Sequence, residues 1–191
     1  MTEIKNVIKV LKDGGIGILP TDTIYGIVGS AFSKKAVERI YEVKGRDMDK
    51  PFIVLISAIA EIEKFGIIPP IIRGSGQRPR VFDDVFSKYW PGKVSIVLPC
   101  KSKKFEYLHR GKKSIAFRLP AKKALIEIIK KTGPLVAPSA NPSGLPPAEN
   151  ITQAKKYFKD SVDFYIVGGV KKGKPSKVIS LISGSHLILR K

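Results

Sequence analysis

The chain has 191 residues, enough for one domain with a substantial core and too few for a string of domains, and its 43% hydrophobic content marks it as globular. With 35 Lys and Arg against 16 Asp and Glu, the net charge of +19 points to anionic partners such as nucleotides, phosphates or RNA; a solvated lysine-rich face would give the same charge. The single cysteine, Cys100, excludes an internal disulfide and a cysteine zinc site, and the lack of a signal pattern or of an apolar run of roughly 18 residues predicts a soluble, cytoplasmic protein without a membrane segment.

Residues 3 to 13 place Ile4, Val7, Ile8 and Leu11 at helical spacing, and Gly14 with Gly15 ends this covering helix. The stretch from Gly17 to Ser57 then reads as strand, polar loop, helix, basic turn and strand. Its first apolar run, Ile16 to Leu19, stops at Pro20 and opens into Thr21, Asp22, Thr23 and Tyr25, closed by Gly26, so that hydroxyls and a carboxylate crowd one strand end where a ligand can bind. Ser33 caps the following helix, Val37, Ile40 and Tyr41 give it an apolar stripe, and Lys44, Gly45, Arg46 and Lys50 gather three cations at its end. These cations also suit a solvated helix terminus. Phe52 to Ile56 returns the chain to the sheet.

Ser57 is expected to cap a short helix through Ile59, Ile62 and Phe65, stopped by Gly66. Ile67 to Arg80, IIPPIIRGSGQRPR, reads as a loop without an assigned role. Asp83 to Trp90 has partly helical spacing, and Pro91 with Gly92 breaks it before a strand from Val94 to Leu98. Lys101 to Lys113 is basic and irregular. It leads into a strand, Ser114 to Leu119, that carries Arg118 inside an apolar run, where an arginine needs an anionic partner. Leu125, Ile128 and Ile129 mark a helix ended by Gly133, followed by a short strand, Leu135 to Ala137. Pro138 to Asn150, PSANPSGLPPAEN, is a stiff polar loop. Thr152 is expected to cap a helix to about Lys159. Phe164 to Val167, a Gly-Gly turn, the basic stretch Lys171 to Lys177 and a hairpin of Val178 to Ile182 with Leu187 to Leu189 complete the chain. The pattern predicts one α/β domain over residues 1–191, a twisted mixed sheet with helices on its faces.

Few ready-made motifs survive inspection. RGKKS at Arg110 to Ser114 resembles the end of a P-loop, but Glu106 stands where glycine is needed and Lys113 where Ser or Thr is needed. No GxGxxG occurs. His109 and His186, the only histidines, share no helical spacing and are expected in surface or turn positions. Ser139 has no identifiable His and carboxylate partners and reads as a turn serine. The sequon at Asn150 to Thr152 is better explained by capping at Thr152.

Seven blocks in order, ILPTDTIYG, KGRDMDKP, WPGKVSIVLP, IAFRLP, APSANPSG, PSKVIS and LILR, resemble the YrdC-like family of threonylcarbamoyl-AMP synthases across nearly the whole chain. The resemblance implies a YrdC-like α/β fold with a positively charged cavity. It implies L-threonine, bicarbonate or carbon dioxide, and ATP with Mg²⁺ as reactants, and threonylcarbamoyl-adenylate and pyrophosphate as products. A separate tRNA threonylcarbamoyl transferase complex would use the adenylate to modify adenosine 37 of tRNAs. Residue by residue, it implies Thr23, Arg118 and Ser176 around the threonine, Arg118 facing its carboxylate. It implies Lys44, Arg46, Lys50, Ser114, Ser139, Asn141 and Arg190 near ATP, with Lys44, Arg46 and Arg118 catalytic. No protein metal site is expected: Asp22, Asp47 and Asp49 read as solvated or structural, and Mg²⁺ arrives with ATP.

Three departures from the family pattern stand out. Pro146 and Pro147 follow SANPSG where many members carry Ser before Pro-Thr, one hydroxyl fewer near the nucleotide. Ser176 to Ser180 lacks the acidic end of the usual STVVD. Ending at Lys191, the chain is expected to lack the C-terminal domain of longer members and to leave closure of the site to loops. Two rival functions follow. A non-catalytic RNA-binding protein would explain the charge but not Thr23, Arg118 and Ser176, and few aromatics sit among the basic clusters; weak RNA binding is compatible with the synthase reading. A carbamoyl-phosphate-activating enzyme usually has a much longer, cysteine-rich chain.

Overall fold

The computed structural model describes residues 2–67, 80–182 and 187–190. The loop expected from Ile67 to Arg80 therefore lies, at 68–79, outside the described residues, as do His186 and the hairpin turn at 183–186. In chain order the elements are α1 (Thr2–Lys12), β1 (Ile16–Pro20), β2 (Tyr25–Ser30), α2 (Lys34–Lys44), β3 (Ile53–Leu55), α3 (Arg80–Tyr89), β4 (Val94–Pro99), α4 (Glu106–His109), β5 (Ser114–Arg118), α5 (Lys123–Thr132), β6 (Leu135–Val136), α6 (Ile151–Phe158), β7 (Phe164–Tyr165), β8 (Lys177–Ser180) and β9 (Leu187–Arg190). The described strands form one mixed sheet in the order β7-β1-β2-β6-β3-β5-β4-β8-β9. The pairs β1·β7, β3·β5 and β4·β8 are parallel and the rest antiparallel, so the expected α/β class and C-terminal hairpin hold.

Side-chain alternation divides the core into two faces. Ile16, Ile18, Tyr25, Ile27, Val54, Ile56, Ile115 and Phe117 pack on one face with Val37, Ile40 and Tyr41 of α2 and Phe158 of α6. Leu19, Val28, Leu55 and Leu135 point to the other, covered by Val7 and Leu11 of α1 and Leu125 and Ile129 of α5. On that second face β5 presents Ala116 and Arg118, and β8 presents Val178, where large apolar side chains would be needed to continue the core. A cavity opens there instead.

Several local expectations need correction. β2 stands where only a loop was expected after Thr23, and it pairs antiparallel with β1 from Pro20↔Tyr25 to Ile16↔Gly29. Residues 59–65 form a 3₁₀ helix, and Ser57 does not cap it: its N–H and Oγ–H both donate to Glu61 Oε2, at 2.7 and 2.9 Å. Asn150, not Thr152, caps α6, accepting from the Gln153 N–H at 2.9 Å. His109 is buried, its Nε2 3.3 Å from the Ser102 carbonyl, because the segment read as irregular folds into a 3₁₀ turn at Lys103–Phe105 and α4. Ser33 caps α2 as expected, accepting from the Ala36 N–H at 3.2 Å.

Candidate active site

The cavity holds about 230 Å³ and crosses the sheet in register, from Gly26 bridged to Ser139, past Ile53 beside Ala116, to Val178 opposite Arg190. Its walls bring together Thr23, Arg46, Arg118, Ser139, Ser176 and Arg190, six of the ten residues expected at the site. No acidic side chain lines it among the described residues. Three guanidinium groups facing one small space create a strong demand for an anion.

Each guanidinium is held differently. Arg118, buried at the end of β5, donates from Nη2 to Asp22 Oδ1 at 3.0 Å and from Nη1 to Thr23 Oγ1 at 3.2 Å; its Nε is buried without a partner. Arg190 donates from Nε and Nη2 to the Ser176 carbonyl at 3.0 and 2.6 Å, which sets both the end of β9 and the start of β8. Ser176 Oγ lies 2.9 Å from Ser95 Oγ in a buried hydroxyl pair. Arg46 donates from Nε to the Lys50 carbonyl at 3.2 Å and lies 5.6 Å over the Phe52 ring. Burial lowers the Arg118 and Arg190 values from the ordinary arginine range; Asp22 opposes this at Arg118, while Arg190 adds to it there and Arg46 adds to it at Arg190.

The remaining four expected residues lie outside the cavity wall. Lys44 is 2% exposed, and its Nζ donates to the Ser139 and Asn141 carbonyls, both at 2.5 Å. Its own carbonyl accepts from the Ser143 N–H at 2.6 Å, so the end of α2 and the 138–145 loop are clamped from both sides. Burial, with the charge of Arg46 adding to it, brings the Lys44 ammonium down to about 7. Asn141 Nδ2 donates to the Pro142 and Leu145 carbonyls at 2.9 and 2.7 Å, and its Oδ1 is a buried acceptor without a partner. Lys50 is exposed and bridges to Asp47. Ser114 opens β5 opposite Pro99.

Two features support the wall. Asp22, expected to be solvated or structural, is structural: its side chain is the buried counter-ion of Arg118 and is not itself part of the lining. The strap at 166–176 crosses the Thr21–Thr23 turn: the Tyr25 hydroxyl donates to the Gly169 carbonyl at 2.9 Å and accepts from the Gly168 N–H at 2.8 Å. A Cβ on Gly173 would sit 2.3 Å from the Thr23 carbonyl oxygen, so only glycine allows so close an approach. The strap ends by delivering Pro175 and Ser176 to the cavity.

The Sua5/YciO/YrdC family model, described as "Telomere recombination", matches residues 9–191. The chain belongs to the Sua5/YciO/YrdC family. A Bacillus subtilis relative named threonylcarbamoyl-AMP synthase is 32% identical over 98% of this chain and 53% of its own length. A Marinobacter nauticus protein of the same name is 32% identical over 91% of this chain and 88% of its own. The crystal structure of P. abyssi Sua5 complexed with L-threonine superposes with a TM-score of 0.86 at 29% identity, over 99% of this chain and 54% of that one. This member of the family thus spans about half the length of the Bacillus and P. abyssi relatives. No helix among the described residues is long and apolar enough to cross a membrane.

Proposed function

We propose that this protein is a threonylcarbamoyl-AMP synthase, making L-threonylcarbamoyl-adenylate and pyrophosphate from L-threonine, bicarbonate or carbon dioxide, and ATP. The observation that carries the reading is the meeting of Arg46, Arg118 and Arg190 on one cavity, in a family whose relatives carry that name. Arg118, which lines the cavity beside Thr23 and Ser176, takes the amino-acid carboxylate. Arg46, Arg190 and Ser139 take the phosphates, with Lys50, Ser114 and Asn141 at the periphery.

The threonine amine takes up carbon dioxide and loses a proton to give an N-carboxylate. A carboxylate oxygen then attacks the α-phosphorus, and the bond to the bridging oxygen breaks to release pyrophosphate. No covalent enzyme intermediate is required, so the protein acts by aligning reactants and by meeting developing phosphate charge with fixed cations. Mg²⁺ would enter with the nucleotide and supply charge neutralisation at its phosphates. The adenylate goes to a separate transferase complex acting on tRNA, in the cytoplasm, and weak tRNA affinity accompanies the +19 charge.

Pyrophosphate release from purified protein with ATP and Mg²⁺, with and without L-threonine and bicarbonate, tests the proposal. Release should require both. Silence in every mixture from folded protein overturns it and turns attention to salt-dependent RNA binding.

A further inference from the structure

Among the described residues, Arg118 is the one cavity arginine joined to a carboxylate inside the protein. The pair is closed off from water: the Arg118 and Asp22 side chains are 5% and 7% exposed. Asp22 does not line the cavity, whereas Arg118 and Thr23 do. The carboxylate therefore stands behind the guanidinium, out of reach of a ligand. It is itself a fixed post. Thr21 Oγ1 accepts from the Thr23 and Ile24 N–H groups at 3.1 and 3.3 Å, the Thr21 N–H donates to the Ile24 carbonyl at 3.1 Å, and Asp22 Oδ2 accepts from the Ala121 N–H at 3.3 Å.

A buried carboxylate next to an anion-binding arginine is costly on charge alone, since it weakens the pull on an incoming anion. Its use must lie in geometry. Arg118 is the last residue of β5, on a long side chain with Arg190 as a like-charged neighbour, and Asp22 with Thr23 occupies its two Nη groups in a fixed fork. We propose that Asp22 is a positioning residue, which holds the Arg118 guanidinium in the orientation that recognises the carboxylate of the amino-acid substrate. This inference rests on the synthase reading for the identity of that substrate. It assigns no contact between Asp22 and any reactant.

Charge and position make opposite predictions for Asp22→Asn, which keeps the shape and removes the charge. If charge dominated, substrate carboxylate binding would tighten. If position dominates, the KM for L-threonine rises roughly tenfold to a hundredfold while the KM for ATP stays within about twofold. In the Arg118→Ala background the same substitution should add nothing, because Asp22 acts through Arg118. That double variant also removes both members of the buried pair, which leaves no unpaired charge to oppose folding. An NMR measurement of Arg118 Nε–H exchange without substrate completes the test: exchange should be slow in the wild type and at least about tenfold faster in Asp22→Asn.

An unchanged or lowered threonine KM in Asp22→Asn overturns the proposal. So does an equal rise in both KM values, or a further loss in the Arg118→Ala background. Should the wild type make no threonylcarbamoyl-adenylate, the synthase reading has failed. Arg118 exchange then decides the positioning claim alone: unaltered exchange overturns it and accelerated exchange supports it.

Discussion

Lys44 offers a stability prediction whose sign is unusual for a lysine. Its ammonium is brought from the ordinary 10.5 to about 7 by burial first and by Arg46 second. Between these values the unfolded chain binds the proton and the folded chain does not, so folding stability rises with pH through the window. Below about 7 the full penalty of holding the charged group applies. Lys44→Met keeps the stem and removes the titration. Many other lysines titrate near 10, so the informative quantity is the stability of the wild type minus that of the variant. Between pH 6 and pH 9 that difference should grow in favour of the wild type by about 3 kcal/mol, from 1.36 kcal/mol per unit acting mainly above pH 7. Urea unfolding of both proteins at the two pH values, at matched ionic strength, measures it. A difference flat within about 0.5 kcal/mol, or one that moves toward the variant, would show that Lys44 keeps its proton in the folded chain. It would mean that the Ser139 and Asn141 carbonyls hold the proton strongly enough to cancel the burial.

Four further substitutions and one control probe the cavity and the strap beside it. Arg46→Ala and Arg118→Ala should each lose about 2 to 4 kcal/mol of transition-state stabilisation, read from kcat/KM for the synthase reaction; activity retained within about twofold in both would remove them from the site. Gly173→Ala forces a Cβ against the Thr23 carbonyl and should displace Pro175 and Ser176, lowering kcat/KM by at least about tenfold, whereas Lys172→Ala on the same strap should leave it nearly unchanged. Tyr25→Phe removes both hydrogen bonds that pin the strap at Gly168 and Gly169 and should cost about 1 to 3 kcal/mol in urea unfolding.

The elements that sequence reasoning found are those whose cause is local. The α2 stripe of Val37, Ile40 and Tyr41 behind Ser33 is written in periodicity and capping chemistry, and so is β5 with Ile115 and Phe117 alternating against Ala116 and Arg118. β2 was illegible because Ile27 and Val28 are flanked by Gly26 and Gly29, which read as turn residues and weaken any alternation; the structure uses Gly29 for close packing, since a Cβ there would lie 3.0 Å from Ile16 Cγ2 and 3.1 Å from Ile40 Cδ1. Asn150 and Thr152 both carry capping oxygens, and only the true start of α6 decides between them.

The site divides in the same way. Arg118 announced its need for an anion from within β5, but its partner stands 96 residues earlier, and no spacing rule links them. The cations at the end of α2 were visible as a group. Which of them would face the cavity was not, because Lys44 turns inward to two carbonyls supplied by the 138–145 loop while Arg46 turns to the cavity. The resemblance over seven blocks supplied the grouping that spacing could not.

Following the carbon tests the synthase reaction itself. Purified protein is incubated with ATP, Mg²⁺, L-threonine and carbon-13-labelled bicarbonate, and the nucleotide products are resolved by mass spectrometry. The expected product is an adenylate carrying threonine and one labelled carbon, formed together with pyrophosphate and absent when threonine or bicarbonate is withheld. Conversion of ATP to ADP or AMP with no labelled adenylate, or no reaction from a protein shown to be folded, would contradict the synthase reading.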